Sequence, residues 1–157
     1  MAGIVPGKRM RALLQRTNGA SVTVGGESLA SIGQGLVVLL GVGHDDDANI
    51  ADSLAERVAQ LRIFRDEEGR TNRSLIDVRG EALVVSQFTL FADTSRGRRP
   101  GFTGAAAPEK AERLYERFAA ALREHDIRVE TGRFGAEMAV ELVNDGPFTI
   151  WLDTADR

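Results

Sequence analysis

The sequence predicts an α+β fold made of short strands and two helices that are well separated along the chain. Apolar side chains recur at helical spacing in two places, around Leu54 and around Phe118, and a strand-like apolar run lies between them. Elsewhere, turn signals rich in glycine divide the chain into short apolar segments, which is typical of antiparallel strands. Two separated helices among such strands favour an α+β architecture over a doubly wound sheet.

The first part of the chain is predicted to form three strands. Arg11–Thr17 and Ala20–Val24 each have the composition of a short strand, and Asn18-Gly19 between them is a strong signal for a two-residue hairpin. Gly25-Gly26 indicates a second turn. A third strand is then expected over Ser28–Ile32.

A buried strand and the first helix follow. The run Leu36–Val42 is continuously apolar and rich in valine, which predicts a strand buried on both faces. Asp45-Asp46-Asp47 provides an N-cap and places negative charge where the helix dipole favours it. We expect the helix to end near Phe64 and to bury an apolar stripe with spacings of four, four and three: Ile50, Leu54, Val58 and Leu61. The polar segment Arg65–Arg73 predicts a loop or an exposed hairpin.

The second half repeats this alternation of strand and helix. Ala82–Phe91 is the next predicted strand, and Asp93–Pro108 is a long loop rich in glycine, serine and arginine. Pro108 suits the first turn of a second helix that ends near His125. The buried stripe of that helix is Leu114, Phe118 and Leu122. Three further strands complete the predicted sheet: Ile127–Thr131, Glu137–Val143 and Phe148–Asp153.

Length and composition exclude several classes of protein. The chain has 157 residues, the size of one domain. It has no cysteine, which excludes disulfides, thiolate zinc sites and cysteine nucleophiles and is typical of a reducing cytoplasm. Since there are only two histidines, a histidine-rich metal site is excluded too, and neither a metal nor another cofactor is expected. No apolar run approaches the ~20 residues that span a bilayer.

Residues 1–9 are interpreted as an N-terminal extension, an alternative start or a cloning remnant, because a second methionine, Met10, directly precedes the first strand. We expect this segment to be disordered and residues 10–157 to form a single domain. The net charge of −3 provides no overall attraction to nucleic acid, although a local basic patch would be enough. Arginine far outnumbers lysine, which favours recognition of phosphate or carboxylate by planar guanidinium groups.

Two segments carry polar or basic groups that a plain scaffold does not require. In Ser86-Gln87-Phe88-Thr89-Leu90, polar side chains interrupt an otherwise buried strand. An unpaired polar group there would cost roughly 1–3 kcal/mol, so these side chains line a site, form a hydroxyl network or reach solvent at the strand end. The loop Asp93–Pro100 holds Arg96, Arg98 and Arg99, which are able to grip phosphates or lie free in solvent.

A third segment, Asn144–Thr149, lies between two predicted strands. Its composition is that of a hairpin turn, and Gly146-Pro147 belongs to the X–Pro class, in which about 5–6% of bonds are cis. The remaining candidates have simpler structural explanations. His44 is a capping or packing residue rather than a base, His125 is a cation at a helix end, and Asp45-Asp46-Asp47 is a helix cap rather than a cation site.

Taken together, these segments resemble the D-aminoacyl-tRNA deacylases over Met10–Thr154, essentially the whole domain. The stretch Met10–Arg16 is similar to the start of that family, and Ser86–Leu90 matches one of its signatures. Asn144–Thr149 matches a second signature except at Phe148, where the family usually has valine. Two intervening segments also agree with the family: Gly97-Arg98-Arg99-Pro100 and Phe134–Met138.

The resemblance implies an enzyme that hydrolyses the ester between a D-amino acid and the 3′ end of tRNA, with glycyl-tRNA as a second substrate. It implies a cytoplasmic homodimer of small, β-barrel-like, antiparallel-rich protomers with two main helices packed outside. The active site would lie at the subunit interface, and neither DNA nor a membrane would be a partner. The tRNA 2′-hydroxyl would assist water attack, so the site needs positioning and an oxyanion site more than a strong base.

The resemblance also implies roles for single residues. Gly146 and Pro147 would form a cis dipeptide that enters the partner subunit's pocket and acts as the chiral selector, with Arg16 holding it in place. Met138 would lie near that pocket, whose lining would be Ser86, Gln87, Phe88 and Thr89. The backbone N–H groups near Phe88 and Thr89 are candidates for the oxyanion site. A weak contribution to tRNA binding is expected from Arg96, Arg98 and Arg99.

Other functions stay open at this point. A non-catalytic dimer that binds tRNA or another ligand would use the arginine loop and would show salt-sensitive binding without hydrolysis. A related deacylase for mischarged L-aminoacyl-tRNA is compatible with Phe148, whereas Ser86 and Phe88 favour the D-specific branch. Thr89 is a hydrogen-bonding residue in the preferred mechanism. The alternative, Thr89 as nucleophile, lacks a neighbouring His or Lys in the sequence to activate it.

Overall fold

The computed structural model describes residues 8–156, and residues 1–7 of the predicted extension lie outside the described part. Over the described residues the chain forms eight strands, two α-helices and one 3-10 helix. In chain order these are β1 (Arg11–Val24), β2 (Glu27–Ile32), β3 (Gly35–Gly41), α1 (Ala48–Gln60), β4 (Phe64–Arg65), β5 (Thr71–Arg73), β6 (Glu81–Ser86), the 3-10 helix (Phe88–Phe91), α2 (Pro108–Arg123), β7 (Arg128–Thr131) and β8 (Ala139–Asp153).

Six of these strands form one sheet in the order β2-β1-β3-β6-β7, with β8 paired to β1 as well. Strand β1 is antiparallel to its three partners, whereas β3–β6 and β6–β7 are parallel pairs. The helices connect the parallel strands and pack on one apolar face of the sheet. The other face carries a second apolar cluster, which includes Val22, Leu83 and Met138, and the sheet curves toward a barrel. The predicted α+β class with two outer helices is confirmed.

Strand β1 runs unbroken for 14 residues where the sequence predicted two strands joined at Asn18-Gly19. Its first half pairs with β3 and its second half with β2, while β8 pairs along the opposite edge. Asn18-Gly19 lies where β1 changes partner. There the Thr17 hydroxyl donates to the Val143 carbonyl at 2.7 Å and accepts the Gly19 N–H at 3.0 Å. The predicted hairpin is wrong because pairing with neighbouring strands overrides the local turn preference.

Strand β8 is also a single strand, of 15 residues, where two strands and a turn were predicted. The turn-like residues form a bulge instead: Gln15 of β1 faces Thr149, whereas the residue two positions later faces Asn144. The Asn144 amide group closes this bulge by donating to the carbonyls of Arg16 at 3.0 Å and Phe148 at 3.1 Å. The bulge residues therefore leave the regular ladder without ending the strand.

Strand β6 ends at Ser86, before the end of the predicted strand Ala82–Phe91, and the chain then enters the 3-10 helix. Its parallel partner β3 ends at the same level. Leu40 faces Ser86, and the Gln87 N–H donates the last bond to the Leu40 carbonyl at 2.7 Å. Because β3 offers no further partner, the Leu90 N–H donates to the Gln87 carbonyl at 3.2 Å instead. The second half of the predicted strand is wrong, and polar residues lie at the sheet edge as a result.

Both helices begin where the sequence predicts. The Asp47 carboxylate accepts the Ile50 N–H at 2.9 Å as the N-cap of α1, and Pro108 opens α2. Helix α1 ends at Gln60 rather than near Phe64, because the backbone becomes extended at Leu61 and leads into the β4–β5 hairpin. The predicted stripes are largely buried, including Leu54 and Val58 in α1 and Leu114, Phe118 and Leu122 in α2.

The first described residues contact the domain. The Lys8 ammonium lies 3.0 Å from the Asp47 carboxylate, and the Arg9 N–H donates to the Asp46 carboxylate at 2.6 Å. Burial raises the pKa of Asp46, although backbone N–H groups stabilise its charge. The His44 ring contacts the Thr103 carbonyl, in the long loop that precedes α2. None of the helices in the described part is long and apolar enough to cross a membrane.

Candidate active site

A cavity of about 770 Å³ opens at the carboxyl end of β6, between the 3-10 helix and the N-terminus of α2. Its walls are mainly apolar, and the polar or charged side chains that line it are those of Ser86, Gln87 and Glu137. The residues that line it include Ser86, Gln87, Phe88, Phe102, Ala105, Ala106, Phe134, Glu137 and Met138. An apolar cleft with a few convergent polar groups is the usual form of a small-molecule site.

Of the predicted segment Ser86–Thr89, the first three residues line this cavity, whereas Thr89 follows in the 3-10 helix and is not among the lining residues. Ser86 and Gln87 are half-buried, whereas Phe88 is 55% exposed and packs edge-on against Phe102 with ring centroids 5.1 Å apart. The Gln87 amide nitrogen contacts the Thr89 hydroxyl oxygen. The backbone N–H groups of Phe88 and Thr89 lie in the first turn of the 3-10 helix, where a helix leaves its N–H groups without acceptors.

The far end of the 3-10 helix is fixed by Arg11 of β1. The Arg11 guanidinium donates to the Leu90 carbonyl at 2.9 Å and to the Asp153 carboxylate at 3.1 Å. It also lies over two aromatic rings, 4.5 Å from the centroid of Phe91 and 5.5 Å from that of Trp151. The segment that carries Phe88 and Thr89 is therefore anchored to the sheet.

The Gly146-Pro147 dipeptide lies elsewhere, on the exposed β8 bulge, and its peptide bond is cis. Neither residue lines the cavity of its own chain. Arg16, only 2% exposed, lies behind the dipeptide and donates to the Gly146 carbonyl at 3.4 Å and the Ile63 carbonyl at 2.6 Å. Its guanidinium also lies 4.4 Å from the centroid of the Phe148 ring. The structure thus brings Arg16 and Gly146-Pro147 together in a second cluster.

Asp145 precedes this dipeptide and lies between two arginines. Its carboxylate is 3.1 Å from Arg16 and 3.0 Å from Arg65 of β4. The hydrogen bond from Arg65 and the positive charges of both arginines hold the pKa of Asp145 below its usual range. The carboxylate is thus ionised at neutral pH and links the β8 bulge to the β4–β5 hairpin.

Met138 and the arginine loop complete the predicted set. Met138 is half-buried in the cavity wall, beside Gly132. The loop carrying Arg96, Arg98 and Arg99 is exposed and closes through an antiparallel bridge between Asp93 and Gly101. Within the described chain, no group of three histidine, aspartate or glutamate side chains is arranged to hold a metal ion.

Several site residues carry no signal in the sequence. Phe102 lies within the long loop and lines the cavity, and Ala105 and Ala106 form part of the wall next to α2. Arg11 and Arg65 were not predicted either, although each holds a predicted segment in place. The contacts of Arg11 and Arg65 join segments 79 or more residues apart, so periodicity and motif spacing could not reveal them.

Comparison with known proteins assigns the chain to one family. Residues 13–153 match the family model described as D-Tyr-tRNA(Tyr) deacylase. A D-aminoacyl-tRNA deacylase of Dinoroseobacter shibae is 63% identical over 92% of this chain and 99% of its own length. The corresponding protein of a Roseiflexus species is 62% identical over 93% of this chain and 94% of its own.

Solved structures agree on the fold. A structure titled c-Myc DNA Unwinding Element Binding Protein superposes with a TM-score of 0.84 at 40% identity, covering 90% of this chain and 97% of its own. A probable eukaryotic D-amino acid tRNA deacylase superposes with a TM-score of 0.80 at 20% identity over 92% of this chain and 99% of its own. With a family model that spans nearly the whole domain and relatives above 60% identity, the chain belongs to the D-Tyr-tRNA(Tyr) deacylase family.

Proposed function

We propose that this protein hydrolyses the ester bond of D-aminoacyl-tRNA, and of glycyl-tRNA, releasing the free amino acid and tRNA in the cytoplasm. The observation that carries the proposal is that Ser86, Gln87 and Phe88 of the signature line a cavity, in a chain whose near full-length relatives are named D-aminoacyl-tRNA deacylases. The cavity volume of about 770 Å³ suits an aminoacyl group with part of the terminal nucleoside.

The chemistry needs positioning more than a strong base. An aminoacyl ester is already activated, and the neighbouring 2′-hydroxyl of the terminal ribose assists the attack of water on the carbonyl carbon. The developing oxyanion is stabilised by the backbone N–H groups of Phe88 and Thr89. These N–H groups need no reorganisation during the reaction, because Arg11 anchors the 3-10 helix that carries them. The proton that water loses goes to the leaving 3′-oxygen, by way of the 2′-hydroxyl.

Chirality is selected by exclusion across a homodimer. In this proposal Gly146-Pro147 of one subunit enters the cavity of the other, and main-chain carbonyls bracket the α-carbon of the substrate. An L side chain would collide with the backbone of the dipeptide, whereas a D side chain points to solvent. Glycine has no side chain to collide and is therefore accepted. The exposure of the dipeptide and its absence from its own chain's cavity support an arrangement across subunits. An active monomer would contradict this arrangement.

The first experiment compares D-Tyr-tRNA and L-Tyr-tRNA as substrates of the purified protein in the presence of EDTA. We expect hydrolysis of the D-ester alone, with broad tolerance of the D side chain and slower loss of glycyl-tRNA. Comparable rates for the two enantiomers would contradict selection by exclusion. Binding of tRNA without hydrolysis of either ester would instead favour a non-catalytic binding dimer, and hydrolysis of a mischarged L-ester would favour the related deacylase.

Thr89 is assigned a hydrogen-bonding role rather than that of a nucleophile. Its hydroxyl contacts Gln87, and no His or Lys lies within two residues of it in the chain to accept its proton. A Thr89→Ala variant is therefore expected to hydrolyse D-Tyr-tRNA in a single turnover within about tenfold of the wild-type rate, since one hydrogen bond contributes about 1 kcal/mol. Mass spectrometry of the quenched wild-type reaction tests the alternative. An acyl group found on Thr89 would show that Thr89 is a nucleophile and would refute the assignment.

The loop with Arg96, Arg98 and Arg99 is proposed to contact tRNA phosphates. The side chains are exposed, and guanidinium groups bind phosphate through paired N–H donors. Because the net charge is −3, we propose modest tRNA affinity that depends on this loop and on the 3′ end rather than on the whole surface.

A further inference from the structure

Asp145, next to the Gly146-Pro147 dipeptide, is held from two directions. One oxygen of its carboxylate, Oδ2, lies 3.1 Å from Nε of Arg16 on β1 and 3.0 Å from Nη1 of Arg65 on β4. The other oxygen, Oδ1, accepts from Nη2 of Arg65 at 3.4 Å. Arg65 therefore contacts both carboxylate oxygens. This two-point contact fixes the orientation of the carboxylate as well as its position.

The two arginines restrain the bulge in different ways. Arg16 is buried under the dipeptide and also bonded to the Ile63 carbonyl, so its guanidinium keeps its place independently of Arg65. Arg65 has a side chain that is 52% exposed and lies on the β4–β5 hairpin, which forms a separate two-stranded sheet. Arg65 thus adds a restraint on Asp145 from outside the main sheet.

We propose that Arg65 is a positioning residue for the Gly146-Pro147 dipeptide and that, through Asp145, it determines how strictly L-aminoacyl esters are rejected. This inference rests on the proposed function and extends it to the β4–β5 hairpin. A selector made of main-chain atoms excludes an L side chain by collision only while it keeps its position. The D-ester, whose side chain points away, tolerates a displaced selector better.

The test compares Arg65→Gln with Arg70→Gln. Arg70 belongs to the same hairpin but pairs with Glu68 at 3.6 Å, so it is a matched control. We expect Arg65→Gln to raise the ratio of L- to D-Tyr-tRNA hydrolysis, compared as kcat/KM, about two- to fivefold, the range for a partly exposed ion pair. Arg70→Gln should leave the ratio unchanged, and Arg65→Lys should restore part of the discrimination. Because Asp145 also pairs with Arg16, the informative double variant starts from Asp145→Asn: adding Arg65→Gln to it should change the ratio no further if Arg65 acts through Asp145.

Equal ratios in the wild type, Arg65→Gln and Arg70→Gln would overturn the inference while leaving the proposed function intact. A wild type that hydrolyses no D-Tyr-tRNA would instead refute the proposed function, and the claim about specificity with it. Amide hydrogen exchange over residues 144–148 then tests, without any activity measurement, whether Arg65 holds the dipeptide in position. Faster exchange in Arg65→Gln than in Arg70→Gln supports positioning by Arg65, and equal exchange overturns it.

Discussion

Replacing Arg16 with alanine is expected to abolish discrimination between D- and L-Tyr-tRNA and to lower the free energy of unfolding by about 3–5 kcal/mol, the usual effect of breaking a buried ion pair. The Arg16 guanidinium is buried, pairs with the Asp145 carboxylate and donates to three carbonyls, those of Ile63, Asp145 and Gly146. Without it, the Ile63 carbonyl loses a donor and the dipeptide loses the support beneath it. Urea unfolding and paired kinetics on the two esters measure both effects.

An Arg16→Lys variant keeps the result interpretable if the alanine variant does not fold. Lysine retains the charge but has a single ammonium group, which cannot reproduce the planar set of contacts or the stacking on Phe148. We expect intermediate stability and a partial loss of discrimination. Arg62→Ala serves as the control and should change neither property, because Arg62 is exposed and directly precedes Ile63 in the chain. An Arg16→Ala protein with wild-type stability and discrimination would refute the assigned role.

Replacing Gly41 with alanine is expected to lower the single-turnover rate about ten- to hundredfold, because displacements below 1 Å in an active site have effects of that size. An added Cβ would lie 2.9 Å from Cε2 of Phe91 and 3.2 Å from both the Gln87 carbonyl oxygen and the Leu90 Cβ. All three belong to the 3-10 helix or its cap, so the helix that presents the oxyanion donors must move. The predicted loss of stability is about 1–3 kcal/mol, as for overpacked cores.

Gly101→Ala is the matched control for this prediction. Gly101 has open space around the position of a Cβ and no positive φ angle, so alanine meets nothing there. We expect this variant to retain the wild-type rate and stability. If Gly41→Ala also retained the wild-type rate, the 3-10 helix would not be the source of the oxyanion donors, and the mechanism would need different groups.

The sequence predicted most elements because their signals are local. The cap at Asp47, Pro108 at the start of α2 and the Gly25-Gly26 turn depend on a few neighbouring residues, and all three lie where they were expected. The segment Ser86–Thr89 was also recognised from its own residues, and its first three residues line the cavity.

The errors share one physical cause. Asn18-Gly19 and Asn144–Phe148 both have strong local turn composition, yet each lies within a long strand because β1 and β8 pair with each other on both sides of these positions. The strand predicted over Ala82–Phe91 is cut short for a related reason, since its partner β3 ends at the level of Ser86 and offers no partner beyond it. Which strand lies beside which is a property of the whole chain, and it decides these cases against local preference.

The pairing of β1 with β8 has a consequence for how the protein is made. Arg11 faces Asp153, so this pair of strands closes a loop of more than 140 residues. Closing so long a loop is entropically unfavourable and makes folding slow compared with folds stabilised by local contacts. During synthesis, the first strand leaves the ribosome long before its partner is translated. One edge of β1 therefore stays unpaired until β8 has been synthesised. Until then the nascent chain is prone to aggregate through that edge.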